Sequence, residues 1–398
     1  MVKKKSTFAS TQRRVALLIE SSVSSGRQVL DGIADYLHQT ASWAIYYEPG
    51  HFSFRNALPD WLKHWTGDGI LARIRTEAIA ERLGKLGIPV VDLMCEYPKM
   101  GIPSVGLDHR KISELAANHL RECGGRVFAY CGIRGTLWAQ RRAEYFKEIV
   151  GRTGCKVQEY WLPDRNSRAW LSEAERLRLA HWIADLPKPA GVMACSDVVG
   201  QRVLEACRLA EVMVPEEIAV LGVDNDETLC RISNPYLSSI LVGHDRVGFC
   251  GAKLLDELMQ GKTPPKEPLV VGRPRLVVRQ STNVQTIGDR DVTLALRYIR
   301  DKAYDAISVR DVAAHVALSY STLNRRFHAI LSRSIHDEIT RVRLERVCEL
   351  LVTTQISIAQ IARVTGFAHH EYLGAVFKSE MGLTPGQYRE ESRAGDYR

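Results

Sequence analysis

The sequence has no apolar run near the roughly 18 to 20 residues that a helix needs to cross a bilayer, which excludes a helical membrane span. Nor do any two of its nine cysteines stand at Cys-x-x-Cys spacing: Cys95, Cys123, Cys131, Cys155, Cys195, Cys207, Cys230, Cys250 and Cys348 are scattered and odd in number. That argues against a disulfide framework and against a structural zinc site. No Gly-x-x-x-x-Gly-Lys-Ser/Thr loop, Gly-x-Ser-x-Gly elbow or His-Glu-x-x-His pair is present, so the nucleotide, hydrolase and metalloprotease signatures are missing. Met1 to Arg14 is basic and polar and lacks the hydrophobic stretch of a secretory signal. The expectation is a cytoplasmic protein with reduced thiols, no catalytic residue, no metal and no cofactor.

What the sequence does hold is enough apolar material for globular cores, with 45% hydrophobic and 25% charged residues in 398. That length implies two or three domains. A net charge of +8 and a pI of about 9.0 suit a polyanionic partner, though weakly on their own. Residues 288 to 398 hold 16 Lys/Arg against 14 Asp/Glu, a difference of only +2. A nucleic-acid argument must therefore rest on where residues fall.

From residue 12 to 283, short apolar runs alternate with amphipathic stretches. Strands are expected at Val15 to Ile19, Gly69 to Ala72, Pro89 to Val91, Val127 to Tyr130, Ala190 to Ala194 and Ile218 to Val223. Helices are expected at Arg27 to Gln39, Glu77 to Leu86, Ser113 to Arg121, Arg142 to Val150 and Val198 to Ala210. Such alternation predicts a mainly parallel sheet with helices on both faces, and its length predicts two lobes. Gln280 to Gly288 is polar and aperiodic and reads as a linker; beyond it every segment reads as helix.

Two helix-turn-helix patterns stand in that last part. In the first, Val309, Val312 and Ala313 share a face, Leu318 closes a turn, and Ser319 caps a helix carrying Leu323 and Phe327. In the second, Ser357 precedes Ile358, Ile361 and Ala362, Gly366-Phe367 turns, and the next helix carries Tyr372, Val376 and Phe377. Ile335 to Val352 lies between them with an apolar stripe. At ~1.5 Å per residue it spans roughly 27 Å, which brings two reading helices near one DNA turn apart, about 34 Å.

The run Ile358-x-x-Ile361-Ala362-x-x-x-Gly366-Phe367, Tyr372, Phe377-Lys378, Gly382-x-Thr384-Pro385-x-x-Tyr388-Arg389 resembles the signature of the AraC family of transcription regulators. Arg343-Leu344 with Leu350-Leu351 fits a further element of that family, Val347 standing where Ala is usual. The resemblance implies that Ser321, Asn324 and Arg325 face DNA in the first module, with Ser319 and Tyr320 near the backbone. Arg325 would pair with guanine and Asn324 with adenine; the alternative is that both are solvated surface residues. In the second module the matching positions are His369, His370 and Glu371. Ala375 replaces the Arg often found there, which implies weaker or less specific contact.

Ile218 to Asp226 (Ile-Ala-Val-Leu-Gly-Val-Asp-Asn-Asp), Arg110 to Leu120 and Pro235 to Ile240 resemble the sugar-sensing core of the LacI repressor family, itself similar to periplasmic sugar-binding proteins. A LacI-like core joined to an AraC-like end is the arrangement of the xylose operon regulators, which the whole chain resembles. The fold implied is an α/β two-lobe domain (12–283) and an all-α domain with two helix-turn-helix units (291–392). Around them lie a basic arm (1–11), a linker (284–290) and a tail (393–398).

The same resemblance places effector contacts at strand ends facing the crevice. Asp224 would accept sugar hydroxyls and Arg142 would donate to them, with Ser196 and Asp197 beside them. Asp92, Glu20 and Arg27 would come from the other lobe, and Trp138 would stack on the sugar. Asp224 capping a turn, Arg142 pairing on a helix surface and Trp138 serving as core are the open alternatives. The implied partners are promoter DNA, a small sugar, RNA polymerase and a second copy of the chain. A non-sugar effector, or a DNA-repair enzyme with an AraC-like domain, is the competing reading. The latter needs an activated thiolate, and no Cys stands in a Pro-Cys-His-Arg setting.

Overall fold

The apolar run at the start of the chain forms β1 (Arg13–Leu18), whose Val15 to Leu18 are all buried, and helix α1 (Ser24–Thr40) follows it. Next come β2 (Trp43–Tyr47), β3 (Gly69–Ala72), α2 (Glu77–Gly84), β4 (Val90–Asp92) and β5 (Val105–Leu107). The first four strands make one parallel sheet in the order β2-β1-β3-β4. In the computed structural model, residues 12–40, 42–48, 58–283, 289–305, 307–331 and 333–395 are described. The expected N-terminal arm, most of the expected linker and the end of the tail lie outside them. The chain divides into two units, Met1–Val284 and Gln285–Arg398.

The second lobe of the first unit begins with α3 (His109–Glu122). It continues through β6 (Val127–Ile133), α4 (Leu137–Gly151), β7 (Val157–Leu162), α5 (Glu173–Asp185), β8 (Ala190–Ala194), α6 (Asp197–Leu209), β9 (Ile218–Val223), α7 (Glu227–Ile232) and β10 (Ser238–Leu241). The chain then returns to the first lobe as α8 (His244–Met259) and β11 (Leu269–Val271), and ends in the second lobe as β12 (Arg275–Val277). The second sheet runs β12-β10-β9-β8-β6-β7, parallel except where β12 meets β10. β11 pairs with β5. The chain thus passes between lobes three times, after β5, after β10 and after β11.

The sequence pattern does not reveal α8, and its glycines explain why. Gly248 and Gly251 look like helix breakers, but a Cβ on Gly248 would lie 2.0 Å from the Val29 carbonyl oxygen. One on Gly32 of α1 would lie 1.8 Å from that of Asp245. Glycine lets the two helices touch backbone to backbone, and that contact seals the first lobe. The expected linker also needs correcting at both ends. Ser281 is buried, donates to the Val220 carbonyl at 2.6 Å and accepts from Ser238 N at 2.8 Å, so 280–282 is a 3-10 turn fastened to the edge of β9 and β10 and belongs to the first unit. Asp289 caps the next helix through Asp291 N at 2.9 Å.

The second unit contains α9 (Arg290–Lys302), α10 (Val309–His315), α11 (Tyr320–Leu331), α12 (Ile335–Thr353), α13 (Ile358–Val364), α14 (His370–Met381) and α15 (Pro385–Gly395). Ser308/Asp311, Ser334/Asp337 and Ser357/Gln360 each close a reciprocal capping box at the starts of α10, α12 and α13. α12 serves two cores. Its Ile335, Ile339 and Val342 join Ile299, Val312, Leu323 and Phe327, whereas its Leu344, Val347 and Leu351 join Ile361, Phe367, Leu373 and Phe377.

Candidate functional site

Both sheets of the first unit turn the C-terminal ends of their parallel strands toward one cavity of about 850 Å³ between the lobes. Side chains just past those ends line it: Glu20 after β1, Arg73 and Arg75 after β3, Ser196 and Asp197 after β8, and Asp224 after β9. Open α/β sheets place ligands at this position because the strand ends leave a crevice.

The second lobe contributes a network centred on Arg142, which is 2% exposed. Its Nη2 lies 3.7 Å from Asp224 Oδ1, its Nε donates to His109 Nδ1 at 3.3 Å, and Nη1 donates to the Cys195 carbonyl. Its guanidinium lies 4.9 Å from the centre of the Trp138 ring. His244 Nε2 reaches the same Asp224 oxygen at 3.2 Å. Burial would raise the Asp224 pKa, but the His244 hydrogen bond and the Arg142 charge outweigh it and hold the carboxyl below its usual range. His109 is pushed well below the ordinary imidazole value by burial and then by Arg142, so its ring is neutral. Asp224 also adopts φ 105°, a left-handed backbone that aims a strand-end side chain away from the strand direction.

The first lobe answers with Glu20, 5% exposed, which accepts from Arg73 Nη1 at 2.7 Å and from Arg75 Nη2. Burial works to raise its pKa, and the two arginines overcome that.

Of the eight expected effector residues, Glu20, Arg27, Trp138, Arg142, Ser196, Asp197 and Asp224 line the cavity. Asp92 does not. Its carboxylate accepts from Ile74 N (3.1 Å), Met94 N (3.0 Å) and Cys95 N (2.9 Å), so it shapes the turn after β4. Asp197 lies at the wall with both oxygens engaged, by Ser239 Oγ and by Asp226 N at 2.6 Å. Sequence reasoning missed Arg73, Arg75, His109, Arg165, Trp170 and His244, all of which line the cavity. The strand-end rule would have found Arg73 and Arg75, directly after an expected strand. Arg165 and Trp170 follow β7 and His244 opens α8, two elements that the pattern does not show.

In the second unit the helix-turn-helix positions are mostly exposed. Ser319 Oγ accepts from Thr322 N at 3.2 Å, capping α11, and Tyr320 is 45% exposed. Ser321 and Arg325 are exposed, and Arg325 forms no ion pair or hydrogen bond among the described residues. Asn324 serves the fold instead, because its Oδ1 accepts from Ile335 N at 3.1 Å and ties α11 to the start of α12. The amide nitrogen and the second lone pair of that oxygen have no partner among the described residues, so an adenine contact by Asn324 would share the oxygen that holds α12. His369, His370 and Glu371 are exposed at the start of α14, with His370 Nδ1 3.2 Å from Glu371 Oε2. Among the described residues no group of three His, Cys, Asp or Glu is placed to hold a metal.

Residues 117–282 match the periplasmic binding protein-like domain, 312–391 a helix-turn-helix domain and 14–105 the XylR N-terminal domain. A two-lobe binding unit followed by paired helix-turn-helix modules is a ligand-responsive transcription regulator. The chain is 31% identical over 389 residues to the xylose operon regulatory protein of Escherichia coli (strain K12), covering 95% of this chain and 97% of that one. It therefore belongs to the family of xylose operon regulatory proteins. The Haemophilus influenzae relative is 29% identical and covered over 98% of its length. The solved structure of the xylose-binding transcription activator xylR is similar at a TM-score of 0.83 and 29% identity, over 96% of this chain and 99% of that one. The cellobiose complex of the transcriptional regulator CelR shares the fold of the first unit, at a TM-score of 0.55 and 22% identity over 68% of this chain.

Proposed function

We propose that this chain activates sugar-catabolism genes when a small sugar, xylose or a related one, closes the two lobes of residues 12–283. The carrying observation is the Asp224–Arg142–His244 cluster at the strand ends of a cavity that also holds Trp138. A pyranose presents closely spaced hydroxyls, which such a fork of acceptors and donors recognises, and an apolar face suited to an indole ring. Residues 291–392 then bind promoter DNA. Arg325 reads a base with Ser321 and Asn324 facing the DNA beside it, Ser319 and Tyr320 lie near the backbone, and His369, His370 and Glu371 make the weaker second contact. The working form is a cytoplasmic homodimer that engages RNA polymerase, because a regulator acts where its promoter and polymerase are. It has no catalytic step. Burial pushes the Cys123 thiol up to about 11 and those of Cys195 and Cys207 up to about 12, the reverse of the activation a methyl-accepting thiolate needs.

The test is a thermal-shift screen of the full chain against pentoses, hexoses, deoxysugars and sugar acids. A ligand of the folded state at 100 times its Kd adds about 2.7 kcal/mol. A clear shift that disappears in Asp224→Asn and Arg142→Lys supports the reading. Promoter binding that persists while no carbohydrate moves the melt would remove the sugar half of it.

A further inference from the structure

We infer that the effector is an anionic carbohydrate, a polyol bearing a carboxylate or a phosphate, whose charged group sits among Arg165, Arg75 and Arg27. This rests on the reading of the cleft as a sugar site and narrows its ligand class.

Five guanidinium groups line the cavity, those of Arg27, Arg73, Arg75, Arg142 and Arg165, against the carboxyl groups of Glu20, Asp197, Asp224 and Asp226. The numbers are close, but the pairing is not one to one. Arg142 belongs to Asp224. Arg73 and Arg75 share the single Glu20, and the buried Nε of each has no hydrogen-bond partner. Asp197 has both oxygens engaged within its own lobe, and burial pushes its pKa well above the usual carboxylate range. Asp226 faces its own helix, capping α7 through Leu229 N at 3.3 Å. Nothing acidic in the cavity wall is left for the other two. Arg27 donates to the Ser21 carbonyl at 2.9 Å, and Arg165 lies 5.9 Å from the centre of the Trp170 ring; neither forms an ion pair among the described residues. Glu96, behind Arg75, does not line the cavity, and burial raises it to about 7, so it offsets only part of this charge.

The excess is local. After burial, the charge of Arg75 is the chief influence depressing the Arg165 pKa, with Glu20 and Asp224 acting the other way. A neutral sugar leaves that repulsion in place, whereas an anion relieves it, because a guanidinium fork matches carboxylate and phosphate oxygens in two parallel bonds. The other end of the cavity, with Asp224, His244 and Trp138, keeps the groups that recognise hydroxyls and a sugar face.

Isothermal titration of the full chain with matched pairs tests this: D-xylose against D-xylonate, and D-glucose against D-glucuronate and D-glucose 6-phosphate. The expected result is an acidic member binding at least about tenfold tighter than its neutral counterpart, with the carboxylate and phosphate arms identifying which group is read. Arg165→Gln, at a solvent-accessible position, should lower the acid's affinity about tenfold more than that of its neutral counterpart, so that the acid-to-neutral ratio collapses, while the melting temperature of the unliganded chain stays unchanged. A neutral sugar binding as tightly as its acid, with Arg165→Gln leaving the ratio unaltered, overturns the inference and leaves the sugar reading standing. If no carbohydrate of either kind binds while promoter DNA still does, the sugar reading falls and the inference with it.

Discussion

Asn324 and Arg325 are neighbours on α11, and the sequence alone treats them as equals. Packing separates them. Arg325 is exposed with no polar partner among the described residues, whereas Asn324 holds the Ile335 N–H. Arg325→Ala should therefore leave the melting temperature unchanged and weaken promoter binding about tenfold or more, relaxing the preference at one base pair. Asn324→Ala should instead cost about 1 kcal/mol of stability, the worth of a lost helix-start hydrogen bond. Unfolding curves and DNA retardation on the two variants check both, and a reversed pattern would mean the two roles are misassigned. The contrast shows where legibility stops at this scale. Exposed, motif-borne positions can be read from spacing, but hydrogen bonds to another helix cannot. A buried titratable group is equally invisible. Burial raises Glu96 from 4.5 to about 7 and Asp92 from 3.8 to about 6. Their folded pKa values exceed the unfolded ones, so the folded state holds their protons more tightly. The stability they give is full below about pH 4 and is lost as pH rises through 6 to 7. Glu20, Asp224 and the neutral His109 carry the opposite sign, their contribution being lost as pH falls. The difference between wild type and Glu96→Gln isolates one group: the variant's relative stability should rise between pH 5 and pH 8. A flat difference would mean that Glu96 titrates normally.

At the scale of elements, the two helix-turn-helix modules solve one turn with different residues. The second uses Gly366 at φ 79°, where a Cβ would lie 2.6 Å from the Ala303 carbonyl oxygen. The first places Ala317 at φ 53°. A left-handed alanine costs roughly 1 kcal/mol, partly offset by the greater freedom of glycine in the unfolded chain. Ala317→Gly should thus be neutral to about 1 kcal/mol stabilising, whereas Gly366→Ala should lose about 2 kcal/mol or more, as chemical denaturation of each variant would measure. Equal losses from both would show that the first turn needs its methyl group for packing. Turns and stripes of this kind are legible because period and capping chemistry lie within a few residues: the Ser357 cap and the α12 stripe can be read directly. The division of that stripe between two cores cannot, nor can α8, whose glycines serve α1, a partner far earlier in the chain. Short edge strands such as β11 and β12 exist only because a distant strand pairs with them.

For the whole molecule, the decisive quantity is the balance between open and closed lobes. Three chain crossings join the lobes, and a ligand between them shifts the balance only through contacts it makes in one state and not the other. One protein contact acts in the same direction. Arg141 of α4, in the second lobe, donates to the Cys95 carbonyl at 2.7 Å and to the Glu96 carbonyl at 3.2 Å, both in the first lobe just past β4. Arg141 is not among the residues that line the cavity, so its action on binding runs through the contact between lobes. Hydrogen bonds from a charged donor contribute about 1.5 to 3 kcal/mol each when buried, and less at this half-buried position. Removing both should lower the closed fraction, and apparent affinity falls in proportion to that fraction. Arg141→Ala is thus expected to weaken effector binding about five- to tenfold, mainly through faster release, because the closed lobes then reopen more readily. Stopped-flow dissociation beside equilibrium titration separates this from damage to the site. Damage to ligand contacts would change which sugar is preferred, whereas a weakened clasp lowers every affinity by the same factor and leaves their order intact. An Arg141→Ala protein that releases effector at the wild-type rate would show instead that the hinge strands alone hold the lobes together.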